Sequence, residues 1–195
     1  MAGVTLLGNP SVHDAGDPVL AGRGDRIARN LLVPLLIILV AVIAVFYVLF
    51  DVSRVEGESM IPTLRNGDRL LLTKGYSDPR RGDIVVLLTS DMGTPLEIVK
   101  RVVALPGDTV EVFGDVVVVN NRAEAPVHIG VIQNETPHIP AFKLPIGSIF
   151  VMGDNRPGSL DSRVTGPMAL SSVHGRVAGI FAPIARMRVV PSGIK

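Results

Sequence analysis

The sequence contains no cysteine. Disulfides, thiolate nucleophiles and cysteine metal sites are excluded, and the absence fits an extracytoplasmic domain. One-sided charge is also missing: 19 basic residues against 18 acidic ones leave a net charge of +1. Neither this balance nor any Lys/Arg cluster interleaved with aromatics supports nucleic-acid binding. There are only four histidines. His13 lies in a polar tail, His128 and His138 in an irregular stretch, and His174 at the start of a strand-like run. None sits in a segment shaped like a catalytic loop. No His-x-x-x-His and no Asp/His cluster at ligand spacing indicates a metal site. Repeats and low-complexity tracts are absent, and so is a long amphipathic helix beyond residue 50.

What the chain has is apolarity. Mean hydropathy is +0.42 over 195 residues, room for one domain plus an appendage. Residues 1–30, rich in Gly, Ala, Asp and Arg without apolar period, read as a disordered tail. Residues 31–50 form an uncharged apolar run, and about 20 helical residues span the ~30 Å hydrocarbon core. Pro34 falls near the start of that run, where a helix best tolerates proline. Arg23, Arg26 and Arg29 precede the run, so the N-terminus is expected in the cytoplasm and residues 51–195 outside. A cleaved leader would have a shorter apolar core and an Ala-x-Ala-like site. Phe46 to Arg54 offers none, so a retained single-pass anchor in the lipid bilayer is expected.

After Val55 the pattern is one of short strands. Arg69–Thr73, Asp83–Leu88 and Glu97–Ala104 are apolar runs bounded by turn residues. Thr109–Phe113 and Val116–Val119 flank Gly114-Asp115 as a hairpin. Residues 122–145 hold several prolines and read as a long surface connection. Gly147–Met152 and His174–Phe181 are further strands, and Gly153–Ser162 after the first of them is a loop of turn formers. The expected fold class is mainly β: an antiparallel, barrel-like domain behind one N-terminal transmembrane helix.

Two residues in this frame carry chemistry. Ser59 stands in Gly57-Glu58-Ser59-Met60-Ile61-Pro62-Thr63-Leu64, where Gly57 permits a sharp turn and Pro62 restricts φ. The stretch is either a plain Ser/Pro/Thr turn or a rigid mount for a nucleophile whose backbone N–H faces an oxyanion. It is not a nucleophile elbow, because the second glycine of G-x-S-x-G is missing. Lys100 lies in a Val/Ile-rich strand beside Arg101, and alternation sends the two cations to opposite faces. Either both are solvated edge charges, or Lys100 points inward. Burial would then disfavour its ammonium and leave a neutral amine able to take the Ser59 proton.

Four segments, taken together and in order, resemble the sequence boxes of bacterial type I signal peptidases. These are Ser59-Met60-x-Pro62-Thr63-Leu64; Arg81-Gly82-Asp83-Ile84-Val85; Lys100-Arg101-Val102 with Leu105-Pro106-Gly107-Asp108; and Gly153-Asp154-Asn155-Arg156 with Ser159-x-Asp161-Ser162-Arg163. The resemblance runs from about Val55 to Phe181. It implies a serine endopeptidase that removes signal peptides from secretory precursor proteins. Ser59 would be the nucleophile and main oxyanion donor, and Lys100 the general base and then acid. Ser159 would hydrogen-bond the lysine, and Asp161 and Arg163 would hold its surroundings. Val55, Met60, Ile98 and Val99 would line pockets for small side chains. Gly153 to Arg156 would shape the loop that carries Ser159. Gly57 resembles the Gram-positive form, without the extra hydroxyl donor of some relatives. The resemblance implies no metal and no cofactor. Two other readings share part of the pattern: a soluble Ser–Lys autoprotease, and a signal-peptidase-like assembly factor for pili or other surface polymers.

Overall fold

The structure is a computed structural model that describes residues 18–91, 93–124, 138–191 and 193. The chain divides after Val45 into two units. Helix α1 (Pro18–Leu49) begins in the first. Its stretch Arg29–Leu49, 21 residues of mean hydropathy 3.2 with no buried share, is long and apolar enough to cross a membrane. Phe50, placed in the span by its apolarity, instead opens the first strand.

The N-terminal expectation needs correction. Residues 1–17 of the expected tail lie outside the described residues, but residues 18–30 are helical. Ala, Leu and Arg are good helix formers, and extending an existing helix needs no new nucleus. Pro34 is therefore inside the helix and not at its start. It has no N–H to offer the Asn30 carbonyl, which lies at the polar end of the span.

The second unit is mainly β, as expected, and antiparallel throughout its described pairings. Its strands are β1 (Phe50–Arg54), β2 (Arg69–Lys74), β3 (Ile84–Asp91), β4 (Thr94–Ala104), β5 (Thr109–Phe113) and β6 (Val116–Val119), then β7 (Arg122–Ala123), β8 (His138–Lys143) and β9 (Ser148–Met152). One helical turn, α2 (Ser162–Thr165), precedes β10 (Met168–Ala169), β11 (Val173–Ala182) and β12 (Arg188–Val189). The larger sheet runs β1-β2-β11-β3-β4-β9-β10, with β12 attached to β11; the smaller runs β7-β6-β5-β8. β7 and β8 fall inside the expected irregular connection, of which residues 125–137 lie outside the described residues. Pro140 fits β8 because β8 is an edge strand and need not donate outward.

Apolar alternation builds the core. In β3, Ile84 and Val86 enter one buried cluster with Met60 and Leu64, while Val85 and Leu87 enter another with Val102 and Val151. Val110, Val112, Val117 and Val119 of the hairpin fill a third against Phe150. β4 is the strand that organises the site. Thr94 to Arg101 pairs with β3, while the β9 pairing begins only at Arg101 and runs to Ala104. Residues 94–100 thus keep one edge open among the described residues.

Lys100 and Arg101 part at this point of β4. Arg101 donates through Nε and Nη2 to both oxygens of Asp154, at 2.7 and 2.6 Å, and through Nη1 to the Gly82 carbonyl at 2.7 Å. Asp154 is fully buried, so its charge is tolerable only with that fork in place. We predict that Arg101→Met lowers the free energy of unfolding by about 3–5 kcal/mol. Denaturant titration checks this, and a loss under 1 kcal/mol would contradict the burial argument.

Candidate active site

Ser59 sits in a loop tied at its neck. Val55 N–H donates to the Asp68 carbonyl at 2.9 Å, and Gly67 N–H to the Val55 carbonyl at 2.9 Å. Gly57 adopts φ +90°, a conformation glycine reaches without strain. Met60 and Leu64 plug the loop into the core. From across the fold, Asn155 N–H donates to the Ser59 carbonyl at 3.0 Å, and Asn155 Nδ2 to the Glu58 carbonyl at 3.2 Å. Asn155 thus holds the Ser59 loop directly, beyond shaping its own.

Lys100 Nζ lies 2.8 Å from Ser59 Oγ. The lysine is 5% exposed. It faces the same side of β4 as Ile98 and Val102, and its cross-strand neighbour is the buried Val85. Burial in these surroundings lowers the lysine's pKa; the nearby Asp161 carboxylate opposes the shift and the Arg163 guanidinium adds to it. The sequence left open whether both cations are solvated or Lys100 points inward, and the burial of Lys100 answers that.

The remaining predicted residues fall around this pair. Val55, Met60, Ile98 and Val99 line one groove with Ser59 and Lys100, of about 540 Å³. Asp161 and Arg163 pair as expected, Nε to Oδ1 at 2.9 Å and Nη2 to Oδ2 at 3.0 Å. Asp161 also accepts the Gly153 N–H at 3.0 Å. Ser159 departs from the expectation: its Oγ is buried but has no hydrogen-bond partner among the described residues, Lys100 included. The hydroxyl lies against Gly153. A Cβ on Gly153 would come within 2.5 Å of both Ser159 Cβ and the Ser59 carbonyl oxygen. Glycine is required here by close approach, not by φ. His138 pairs with Glu111 and His174 with Asp51, and neither lines the groove.

One support was not legible in the sequence. Arg186 donates to both oxygens of the buried Asp68, at 2.7 and 2.9 Å. Arg188 donates to the Thr63 carbonyl. The segment after β11 therefore holds the Ser59 loop from its far side.

Two outcomes follow from this geometry. Gly153→Ala should cut cleavage at least about tenfold while leaving the fold intact, because the added methyl displaces the Ser59 carbonyl; kinetics with circular dichroism checks it. Lys100→Met should abolish activity yet raise stability at neutral pH. With its folded pKa lowered, Lys100 costs folding energy below that pKa, and the cost disappears as pH rises toward the unfolded lysine value. The stabilisation by methionine should therefore shrink with increasing pH in melting experiments; an advantage constant with pH would contradict it.

Comparison with known proteins identifies the family. The family described as "Signal peptidase, peptidase S26" matches residues 28–182. Signal peptidase I P of Bacillus subtilis subsp. natto is 38% identical over 166 residues, covering 77% of this chain and 89% of that protein. The probable signal peptidase I-1 of Synechocystis sp. is 34% identical over 164 residues, covering 79% and 83%. The crystal structure of a signal peptidase I from Enterococcus faecalis V583 aligns with a TM-score of 0.42 at 29% identity, covering 51% of this chain and 97% of that one. With more than three quarters of its length matched, the chain belongs to the signal peptidase family, peptidase S26: a membrane-anchored serine endopeptidase that removes signal peptides.

Proposed function

We propose that Ser59 and Lys100 form the catalytic dyad of this peptidase. The observation that carries the assignment is the 2.8 Å separation of Nζ and Oγ at the edge of the groove. Neutral Lys100 takes the Ser59 proton as Oγ attacks the scissile carbonyl carbon. The oxyanion faces the Ser59 backbone N–H. On collapse the C–N bond breaks, and the Lys100 ammonium gives its proton to the leaving amine. A water, deprotonated by the same amine, then hydrolyses the acyl ester and frees Ser59.

The precursor is read as an added strand. The open edge of β4 at residues 94–100 supplies main-chain hydrogen bonds, and Val55, Met60, Ile98 and Val99 accept small side chains. Asp161 and Arg163 maintain the lysine's surroundings, and Ser159 packs against Gly153 beside it. The apolar stretch at residues 31–49 lies in the bilayer with the N-terminus in the cytoplasm, in keeping with Arg23, Arg26 and Arg29 before it. The β-unit from residue 51 onward works outside. Enzyme and signal peptide then meet in two dimensions, which raises effective concentration without new contacts.

Ser59→Ala and Lys100→Ala should each reduce cleavage of a secretory precursor by about 10³-fold or more without changing membrane fractionation. Wild-type activity should rise with pH as Lys100 loses its proton. Unimpaired turnover by either variant would remove the assignment.

A further inference from the structure

Asp115 lies in the turn between β5 and β6, where a short polar residue ordinarily faces water. Here it is 7% exposed. Its Oδ1 accepts from Arg163 Nη1, and its carbonyl accepts from Arg156 Nη1 at 3.1 Å. Its Oδ2 is buried with no hydrogen-bond partner among the described residues. An orphaned buried carboxylate oxygen is uncommon and calls for an explanation. Around it stand two guanidinium groups and two more carboxylates. Arg163 also binds Asp161 and the carbonyl of Arg156, while Arg156 donates to Glu124 at 2.7 Å. Asp161 and Arg163 in turn act electrostatically on Lys100.

We propose that Asp115 is a positioning residue of the active site: from the second sheet it holds and partly offsets the Arg163 charge beside Lys100, and so sets the pH at which the amine becomes available as a base. The proposal rests on the assignment of Lys100 as that base. The groups facing Lys100 are Ser59 from the nucleophile loop and Asp161 and Arg163 from α2 and its cap; its β3 and β4 neighbours Val85, Ile98 and Val102 are uncharged. Arg163 and Arg156 face Asp115, and Glu124 faces Arg156. Without the Asp115 charge, Arg163 acts on Lys100 with more of its positive field. The ammonium is disfavoured further and gives up its proton at lower pH.

The test is the pH profile of kcat/KM for precursor cleavage by the full chain in detergent micelles, for the wild type, Asp115→Asn and Asp115→Glu. Asp115→Asn should move the acid limb to lower pH by about 0.3–1 unit. Asp115→Glu, which keeps the charge, should return the limb to the wild-type position. A residue that merely stabilised the fold would lower the rate at every pH and leave the limb in place. A limb that stays put or moves upward in Asp115→Asn overturns the proposal. A wild-type profile without any acid limb would instead remove the dyad assignment, so the two failures are distinguishable. Asp115→Ser replaces Asp115→Asn should the latter not fold. Failure of both neutral variants to fold would make Asp115 purely structural and also overturn the proposal.

Discussion

Everything in the β-unit bears on one costly act: burying a lysine amine beside a serine hydroxyl. Left in water, Lys100 would be an ammonium, and the role we propose for it needs the neutral amine. The fold removes that water with Val85, Ile98 and Val102, and brings Ser59 Oγ to 2.8 Å. Desolvation of the charged form is the largest influence on Lys100, and Asp161 moderates it. The site thus works against stability, and the well-packed valine strands around it supply the difference.

Strand alternation lets two adjacent cations serve opposite purposes. Among the described residues Lys100 has no direct counter-ion, and it faces a hydroxyl. Arg101, one residue on, is given a complete fork of acceptors in Asp154 and Gly82. Its charge is neutralised where Lys100's is discouraged. The same division recurs in the loop after β9. Asn155 secures the Ser59 loop through two carbonyls, whereas Asp161 and Arg163 act on the amine in opposite directions. One segment thus holds the Ser59 loop through Asn155 and places an ion pair near Lys100.

Much of this was legible in the chain. The hairpin strands 109–113 and 116–119 were read to the residue, because Gly114-Asp115 interrupts a valine-rich run cleanly. β1 was missed because Phe50 continues the apolar run of the span, which leaves too short an alternation to stand out; pairing with β2 makes it a strand. β8 was hidden by Pro140 and a loose period. Ser59 and Lys100 stood out by residue type and surroundings, but their contact spans 41 positions and only the fold closes that gap. Arg163 with Asp115, 48 positions apart, and Arg186 with Asp68, 118 apart, left no local sign. A turn aspartate and a C-terminal arginine look like ordinary surface residues until a second sheet or a returning segment buries them.

The most direct measurement is a titration of the lysine side-chain amines by NMR with isotope-labelled lysine. The chain has four lysines, so the signals are few. One amine should titrate below the other three, and that signal should be missing from Lys100→Met. Four amines titrating together near the ordinary lysine value of about 10.4 would contradict the account.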